Sequence, residues 1–381
     1  MFGKGVDFQY FRRIKPLIFL MEKINAESKS REFLSILNTH FQGKVNLSRL
    51  KLIAMFITAL CKVQTVGFEK LANAFDSEAQ AASSLRRVQR FIAQYALDSD
   101  LVAKLVFSLL PDKENLKLSI DRTNWKFGQT DINIFMLGVT YKGVAFPLLF
   151  KMLDKRGNSN SRERIDLVER FIRLFGNCCI DCLMADREFV GDDWIKYLND
   201  NKIRYYIRIR NNFKIFLPHK NKEIKASWLF NSLKKGEFLH YRRIVKMGTQ
   251  LCYISGCKND GTDFLIIASF NKPEQAQFSY KERWQIETCF KAMKSSGFDI
   301  EKTHLDDIVR IEKLTLLVMI AFVWCYKTGI FIHEHVKKIE IKKHGRKAKS
   351  IFKCGLSFIA SVLLNSKNQT DIDVFNFLSC T

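Results

Sequence analysis

The chain has 381 residues, 47% of them hydrophobic and 33 of them Phe, which is ample for packed cores in two or three domains and excludes a disordered chain. Its formal net charge is +23, with a pI near 9.6. Basic residues run along the whole length, so the expected partner is a polyanion, nucleic acid ahead of a membrane surface. The 10 cysteines form neither a disulfide ladder nor a paired zinc pattern, and Cys178, Cys179 and Cys182 of "CCIDC" read as buried thiols in a reducing compartment.

Near the amino terminus "PLIFLM" is too short an apolar core for a signal peptide and is followed by charges. Residues 1–110 read as a helical, DNA-binding region. "GFEKLANAF" places Phe68, Leu71 and Phe75 on one face. "SLRRVQRFIAQY" turns Leu85, Val88 and Ile92 inward and Arg86, Arg87 and Arg90 outward. Two short helices with a basic second one suggest a helix-turn-helix-like reader that contacts DNA through those arginines; a plain bundle with solvated arginines fits the same pattern.

Residues 111–211 change character. "LKLSID" alternates Leu116, Leu118 and Ile120 against Lys117, Ser119 and Asp121, as a strand does. "DINIFMLGVTYKGVAFPLLFKML" continues as an antiparallel hairpin around "YKG". "GNSNSRERIDLVERFIRLFG" is a helix with Asn160 and Glu163 at capping-box spacing. "CIDCLMAD" reads as a central strand buried on both faces, "DDWIKYLNDNK" as a helix and "IRYYIRIR" as a strand. The result is an α/β layer.

From 212 to 262 the helical period disappears: "NFKIFL", "HYRRIVKM" and "QLCYISGC" alternate, with "KMGTQ" as a turn, which predicts an all-β insertion. The α/β layer resumes over 263–310 with the strand "FLIIASF" and a helix. Residues 311–381 form a basic helical carboxyl-terminal region that includes "KKIEIKKHGRKAKS". Its apolar run "LTLLVMIAFVWCY", residues 314–326, falls short of the roughly 20 residues that span a bilayer and is expected to be a core helix. A cytoplasmic protein without a membrane segment follows.

The helix over 263–310 carries "YKERWQIETCFKAMK". At about 100° per residue, Tyr280, Arg283, Glu287 and Lys294 fall within roughly a 60° arc of one face. Lys291 and Trp284 flank that arc, Glu282 points away, and Ile286, Cys289, Phe290 and Met293 make an adjoining apolar stripe. An Arg283–Glu287 i,i+4 ion pair on a solvated face is the plainest reading. Upstream, Asp121 ends the first strand and Asp186 the buried central one, where a carboxylate is costly unless a cation is bound. Either aspartate alone could be a cap or a turn former. Together with a carboxylate on the packed helix they could cage Mg²⁺, and two such ions roughly 4 Å apart serve phosphoryl transfer. Glu188 is the residue most easily confused with Asp186.

"IDRTNW", "ADREFVG" and Tyr280, Arg283, Glu287 and Lys294 in Y-x2-R-x3-E-x6-K, in that order, resemble the DDE transposases of the insertion-sequence-4 family. "KRGNSNSRERI" and "HGRKAKS" are similar to stretches common there, and the resemblance covers about residues 80–360. It implies a ribonuclease-H-like catalytic domain interrupted by an all-β insertion. Asp121, Asp186 and Glu287 would be its metal-binding triad for two Mg²⁺, with Mn²⁺ a substitute. Tyr280, Arg283 and Lys294 would contact transposon-end phosphates near a flipped base, with Lys291 beside them. The family takes that base on a Trp of its β insertion; Trp228 and Tyr253 are the candidates here, each better suited to the core than to receiving a base. The implied activity is cut-and-paste transposition on terminal inverted repeats and target DNA, with a homodimer in the synaptic complex. A binding-only regulator and a structure-specific nuclease are the rival readings.

Overall fold

The computed structural model describes residues 33–378 apart from 42, 128–129, 154, 156, 260–262, 295–296, 344 and 366–371. The chain divides into two compact units, one within Met1–Leu97, Met293–Thr303 and Lys313–Thr381, the other within Asp98–Ala292 and His304–Glu312. The first unit is helical. Its helix α1 (Leu47–Val63) starts at Asn46, whose side chain accepts from the Arg49 amide at 3.0 Å, the usual N-terminal cap. Then come α2 (Phe68–Asn73) and α3 (Ala81–Gln94). On α3 Ser84, Val88, Phe91 and Ile92 are buried, whereas Leu85, expected inward, is half-buried. Arg86 and Arg90 are exposed and Arg87 is half-buried. The Lys313 ammonium donates to the Ile92 and Phe91 carbonyls, at 2.6 and 3.3 Å, satisfying orphan acceptors at the end of α3.

The second unit holds α4 (Ser99–Ser108) and the strands. Strand β1 (Leu116–Phe127) pairs antiparallel with β2 (Thr130–Tyr141), which pairs with β3 (Val144–Leu153). Helix α5 (Ser161–Phe175) begins with the expected capping box: Asn160 accepts from the Glu163 amide, and the Glu163 carboxylate accepts from the Asn160 amide. Strand β4 (Ile180–Ala185), helix α6 (Asp192–Asp200) and strand β5 (Tyr205–Ile209) follow. Beyond them lie β6 (Lys214–Leu217), β7 (Lys222–Lys225), β8 (Phe238–His240), β9 (Val245–Met247), β10 (Gln250–Lys258) and β11 (Phe264–Ser269). These strands form one sheet in the order β3-β2-β1-β4-β5-β11-β10-β9-β6-β7, with β8 also on β10. Only β1–β4 and β4–β5 are parallel, so the sheet is mostly antiparallel within a mixed α/β architecture. "HYRRIVKM" does not run as one strand: β8 ends at His240 and β9 starts at Val245.

Strand β1 also outruns its prediction. Parallel pairing to β4 stops at Ile120↔Ala185, but antiparallel pairing to β2 carries β1 on to Phe127. Asp121 is therefore the first residue past the parallel register, not the last of its strand. The helix expected over 280–294 is likewise interrupted. Helix α7 (Ala276–Lys281) gives way to a 3₁₀ turn at Glu282–Trp284, and α8 (Gln285–Met293) follows. Such a turn advances about 120° per residue instead of 100°. Glu282 is held there by an ion pair with Lys117 on β1 and a 3.4 Å hydrogen bond from Thr140 on β2.

Helices α9 (Ile308–Phe331) and α10 (Ile351–Leu364) complete the chain's main elements. By length and hydropathy α9 could cross a membrane. Its residues from Leu316 to Cys325 are instead each no more than 2% exposed inside the first unit. There Trp324 stacks on Phe33 and Phe375, both at 5.4 Å between centroids, and its indole donates to the Val374 carbonyl at 2.7 Å. This is a core helix. Among its described residues, the basic stretch that follows forms no helix, only an isolated bridge between Ile341 and Lys347.

Candidate active site

Three adjacent strands end their shared parallel register at one level, Ile120 beside Ala185 and Ala185 beside Ile207. Asp121 and Asp186 are the next residues on the first two. Each bends its carboxylate back to a neighbouring amide: Asp121 Oδ1 accepts from the Arg122 amide at 2.8 Å, and Asp186 Oδ1 from the Arg187 amide at 2.7 Å. The polypeptide between α7 and α8 lies over this edge. Ser119 Oγ on β1 donates to the Arg283 carbonyl at 3.4 Å, and Ile286, Cys289 and Phe290 are buried as the apolar stripe requires.

One guanidinium gathers the acids. Arg283, 4% exposed, donates from Nη1 to Asp121 Oδ2 at 2.9 Å and from Nη2 to Glu287 Oε1 at 2.6 Å. Tyr280 donates its hydroxyl to Asp186 Oδ1 at 3.3 Å, with Arg283 5.8 Å from the Tyr280 ring centroid. The i,i+4 pair predicted from spacing is thus real but extends to a third residue on β1. Burial raises the pKa of Asp121 to about 6 even though Arg283 opposes the rise. Burial also works against the Arg283 charge, but Tyr280, Asp121 and the bond to Glu287 outweigh it and raise its pKa. The Tyr280 phenol is pushed up, chiefly by burial. A carboxylate that one arginine does not fully compensate is a place for a further cation.

Among the described residues, no three carboxylates, imidazoles or thiolates stand close enough together to hold a metal ion as they are. The donor chemistry nevertheless fits: three carboxylates offer the hard oxygen ligands that Mg²⁺ or Mn²⁺ takes. The Arg283 fork lies between two of them, so all three can share an ion only after it withdraws.

Glu188 is not part of this group. The strand stops at Ala185, and a turn sends the Glu188 side chain to Arg122 Nε at 2.6 Å. The same guanidinium donates to the Gly157 carbonyl at 3.1 Å and Asn158 Oδ1 at 2.7 Å. Buried Arg164 donates to the Glu188 carbonyl and to Ser159 Oγ, both at 3.0 Å. "KRGNSNSRERI" therefore braces the turn that follows Asp186. Sequence reading missed Arg122 and Arg164 in this part, because an arginine beside a candidate acid looks like decoration until its partners are seen.

The other expected contacts lie elsewhere. Lys291 is exposed on α8. Lys294 belongs to the first unit and pairs with Glu301 at 2.8 Å. Arg86, Arg87 and Arg90 carry no ion pair among the described residues. Trp228, which could have been core, is 53% exposed, and Tyr253 is half-buried. A family model described as a transposase DDE domain matches residues 117–324. No curated protein matches the chain.

Proposed function

The chain belongs to the transposase DDE domain family, and from that premise we propose that it cuts the ends of an insertion sequence of the insertion-sequence-4 kind and joins them to target DNA. The observation that carries this is the convergence of Asp121, Glu287 and, through Tyr280, Asp186 on Arg283. The reading includes a ribonuclease-H-like catalytic layer on β1–β5 and β11, with β6–β10 as its insertion, and a homodimer that holds two ends.

DDE transposases use divalent ions; held by Asp121, Asp186 and Glu287, two Mg²⁺ would make a water oxygen nucleophilic and neutralise charge on the reacting phosphate. The chain's own residues do the rest. Arg283, released from the carboxylates, presents a two-pronged donor to a DNA phosphate, and Tyr280 offers its hydroxyl beside it. Arg122 and Arg164 keep the turn after Asp186 in place, so the acids hold their spacing under a moving substrate. Hydrolysis breaks a phosphorus–O3′ bond and leaves a 3′-hydroxyl and a 5′-phosphate. That hydroxyl then attacks a phosphorus of a second strand, displacing its O3′. Both are in-line displacements that one site serves.

The test uses duplex oligonucleotides carrying the inverted repeats that flank the reading frame, with Mg²⁺ and a target plasmid. Wild type should cut and join. Asp121→Asn should bind the ends yet cut them at least 100-fold more slowly, the order expected for loss of a group acting only in the transition state. Nicking by the variant at the wild-type rate would overturn the triad. Binding without cutting by wild type would leave a regulator, and cutting without joining a nuclease.

A further inference from the structure

The basic segment between α9 and α10 folds back on itself as a short hairpin inside the first unit. The Ala348 amide donates to the Glu340 carbonyl and the Lys342 amide to the Arg346 carbonyl, both at 2.8 Å. Gly345, at φ +77°, makes the turn, and its amide donates to the Lys342 carbonyl at 2.8 Å. We infer that His333 is a pH-sensitive latch on this hairpin, holding it closed while the imidazole is neutral and releasing it when the ring takes up a proton.

The hairpin needs such a hold. An isolated two-stranded hairpin is marginal in water. In "KKIEIKKHGRKAK", residues 337–349, Glu340 is the one carboxylate among lysines and an arginine. Repulsion between the cationic arms therefore works against closure. Lys342, Gly345 and Arg346 all face solvent, so the backbone bonds of the tip gain little from burial.

His333 reaches both arms. It sits in a π turn, Ile332–Val336, that follows α9 and is closed by the Lys337 amide on the Ile332 carbonyl at 2.8 Å; such wide turns recur at functional positions. Nδ1 accepts from the Ile339 amide at 2.9 Å, just before one arm, and Nε2 lies 3.2 Å from the Lys347 ammonium on the other. An amide can only donate, so Nδ1 is bare and the neutral ring carries its hydrogen on Nε2. A proton on Nδ1 would set two donors against each other and place a full positive charge beside Lys347. Burial, Lys347 and Lys338 oppose that proton and Glu334 favours it, with a net lowering of the pKa from the ordinary 6.5. A lowered histidine stabilises the closed form fully above pH ~6.5, and this contribution is lost as pH falls through the lowered value.

Hydrogen exchange of the full-length chain tests the latch, with exchange times rescaled for the intrinsic effect of pH. Peptides over 337–349 are followed at about pH 7.5 and 5.5, on either side of an unperturbed histidine, for wild type, His333→Asn and His333→Ala. The Asn Oδ1 can accept from the Ile339 amide but does not titrate. Wild type should lose protection by up to about tenfold at the lower pH, the most that one proton supplies over one unit below 6.5. His333→Asn should stay protected at both pH values and His333→Ala at neither. Equal protection of wild type at both pH values would overturn the latch. So would protection of His333→Ala at the higher pH, since the hairpin would then hold itself. A loss that persists in His333→Asn would belong to another histidine, and a matching loss over 314–326 would mark unfolding of the core helix; either sinks the inference. A second measurement does not depend on how well Asn replaces the ring. The His333 C2–H resonance, identified by its absence from His333→Ala, should titrate below the ordinary 6.5, and a midpoint at or above that value would overturn the inference.

Discussion

Asp121 illustrates how a single buried carboxylate reports on its surroundings. Its side chain is 15% exposed, and the folded pKa of about 6 exceeds the ordinary 3.8 because burial outweighs Arg283. A raised acid binds its proton more tightly in the folded state, so its contribution to stability is complete below pH ~4 and is lost as pH rises through ~6. In metal-free protein, urea unfolding of wild type relative to Asp121→Asn should therefore lose up to about 1.4 kcal/mol per pH unit across that window. A difference that stays flat with pH would mean Arg283 compensates Asp121 fully. The acids themselves were legible in the chain as strand-end and helix-face positions. Their connection through Arg283 was only half legible, since helical spacing shows Glu287 but says nothing of a residue on β1.

Among the elements, the hairpin between β9 and β10 shows how one glycine ties two parts of the second unit together. Gly248 has φ +60°, and a Cβ there would run into the Asp192 carboxylate at the start of α6. That carboxylate accepts from the Thr249 amide at 2.7 Å and from the Thr249 hydroxyl. Gly248→Ala combines backbone strain with a displaced hydrogen-bond acceptor. It should cost about 1–2 kcal/mol and lower Tm by roughly 2–8 °C in a domain of this size. An unchanged Tm would show that the hairpin is not anchored there. Strands and helices were readable wherever apolar periodicity is strong, as in β4, β5, α5 and α6. It failed where tertiary pairing decides: β1 lengthens because β2 continues beside it, and the 280–294 helix breaks because Glu282 is drawn to Lys117. The exposure of Trp228 was also out of reach, since a lone tryptophan has no period to read.

At the scale of the whole molecule, the charge of +23 predicts DNA affinity that falls steeply with salt. Lys294 tests how far single lysines share in this. It is paired with Glu301, and Lys294→Ala should flatten the salt slope by about 0.9 if it also meets a phosphate; an unchanged slope removes it from the contacts. The thiols give an independent check on packing. Cys178, expected to be buried, is exposed, whereas Cys61, Cys179, Cys182, Cys252, Cys289 and Cys325 are buried, with burial pushing the pKa of Cys182 and Cys252 to about 12. A thiolate reagent should label Cys178 within minutes and these six only on unfolding; fast labelling of any of the six would contradict the packing.

The order of β4, β5 and β11 across the sheet also has a consequence in time. Asp121 and Asp186 leave the ribosome early, but Glu287 follows Asp186 by about a hundred residues, roughly 5–20 s of synthesis at 5–20 residues per second. During that interval β5 lacks its neighbour β11, and its edge can be filled only by residues not yet made. A nascent chain therefore carries two acids and no Arg283 to neutralise them. On the proposed triad, nuclease chemistry would wait until β6–β10 have been made and β11 has docked, and a truncated product ending before α8 would be catalytically inert however well its early strands had folded.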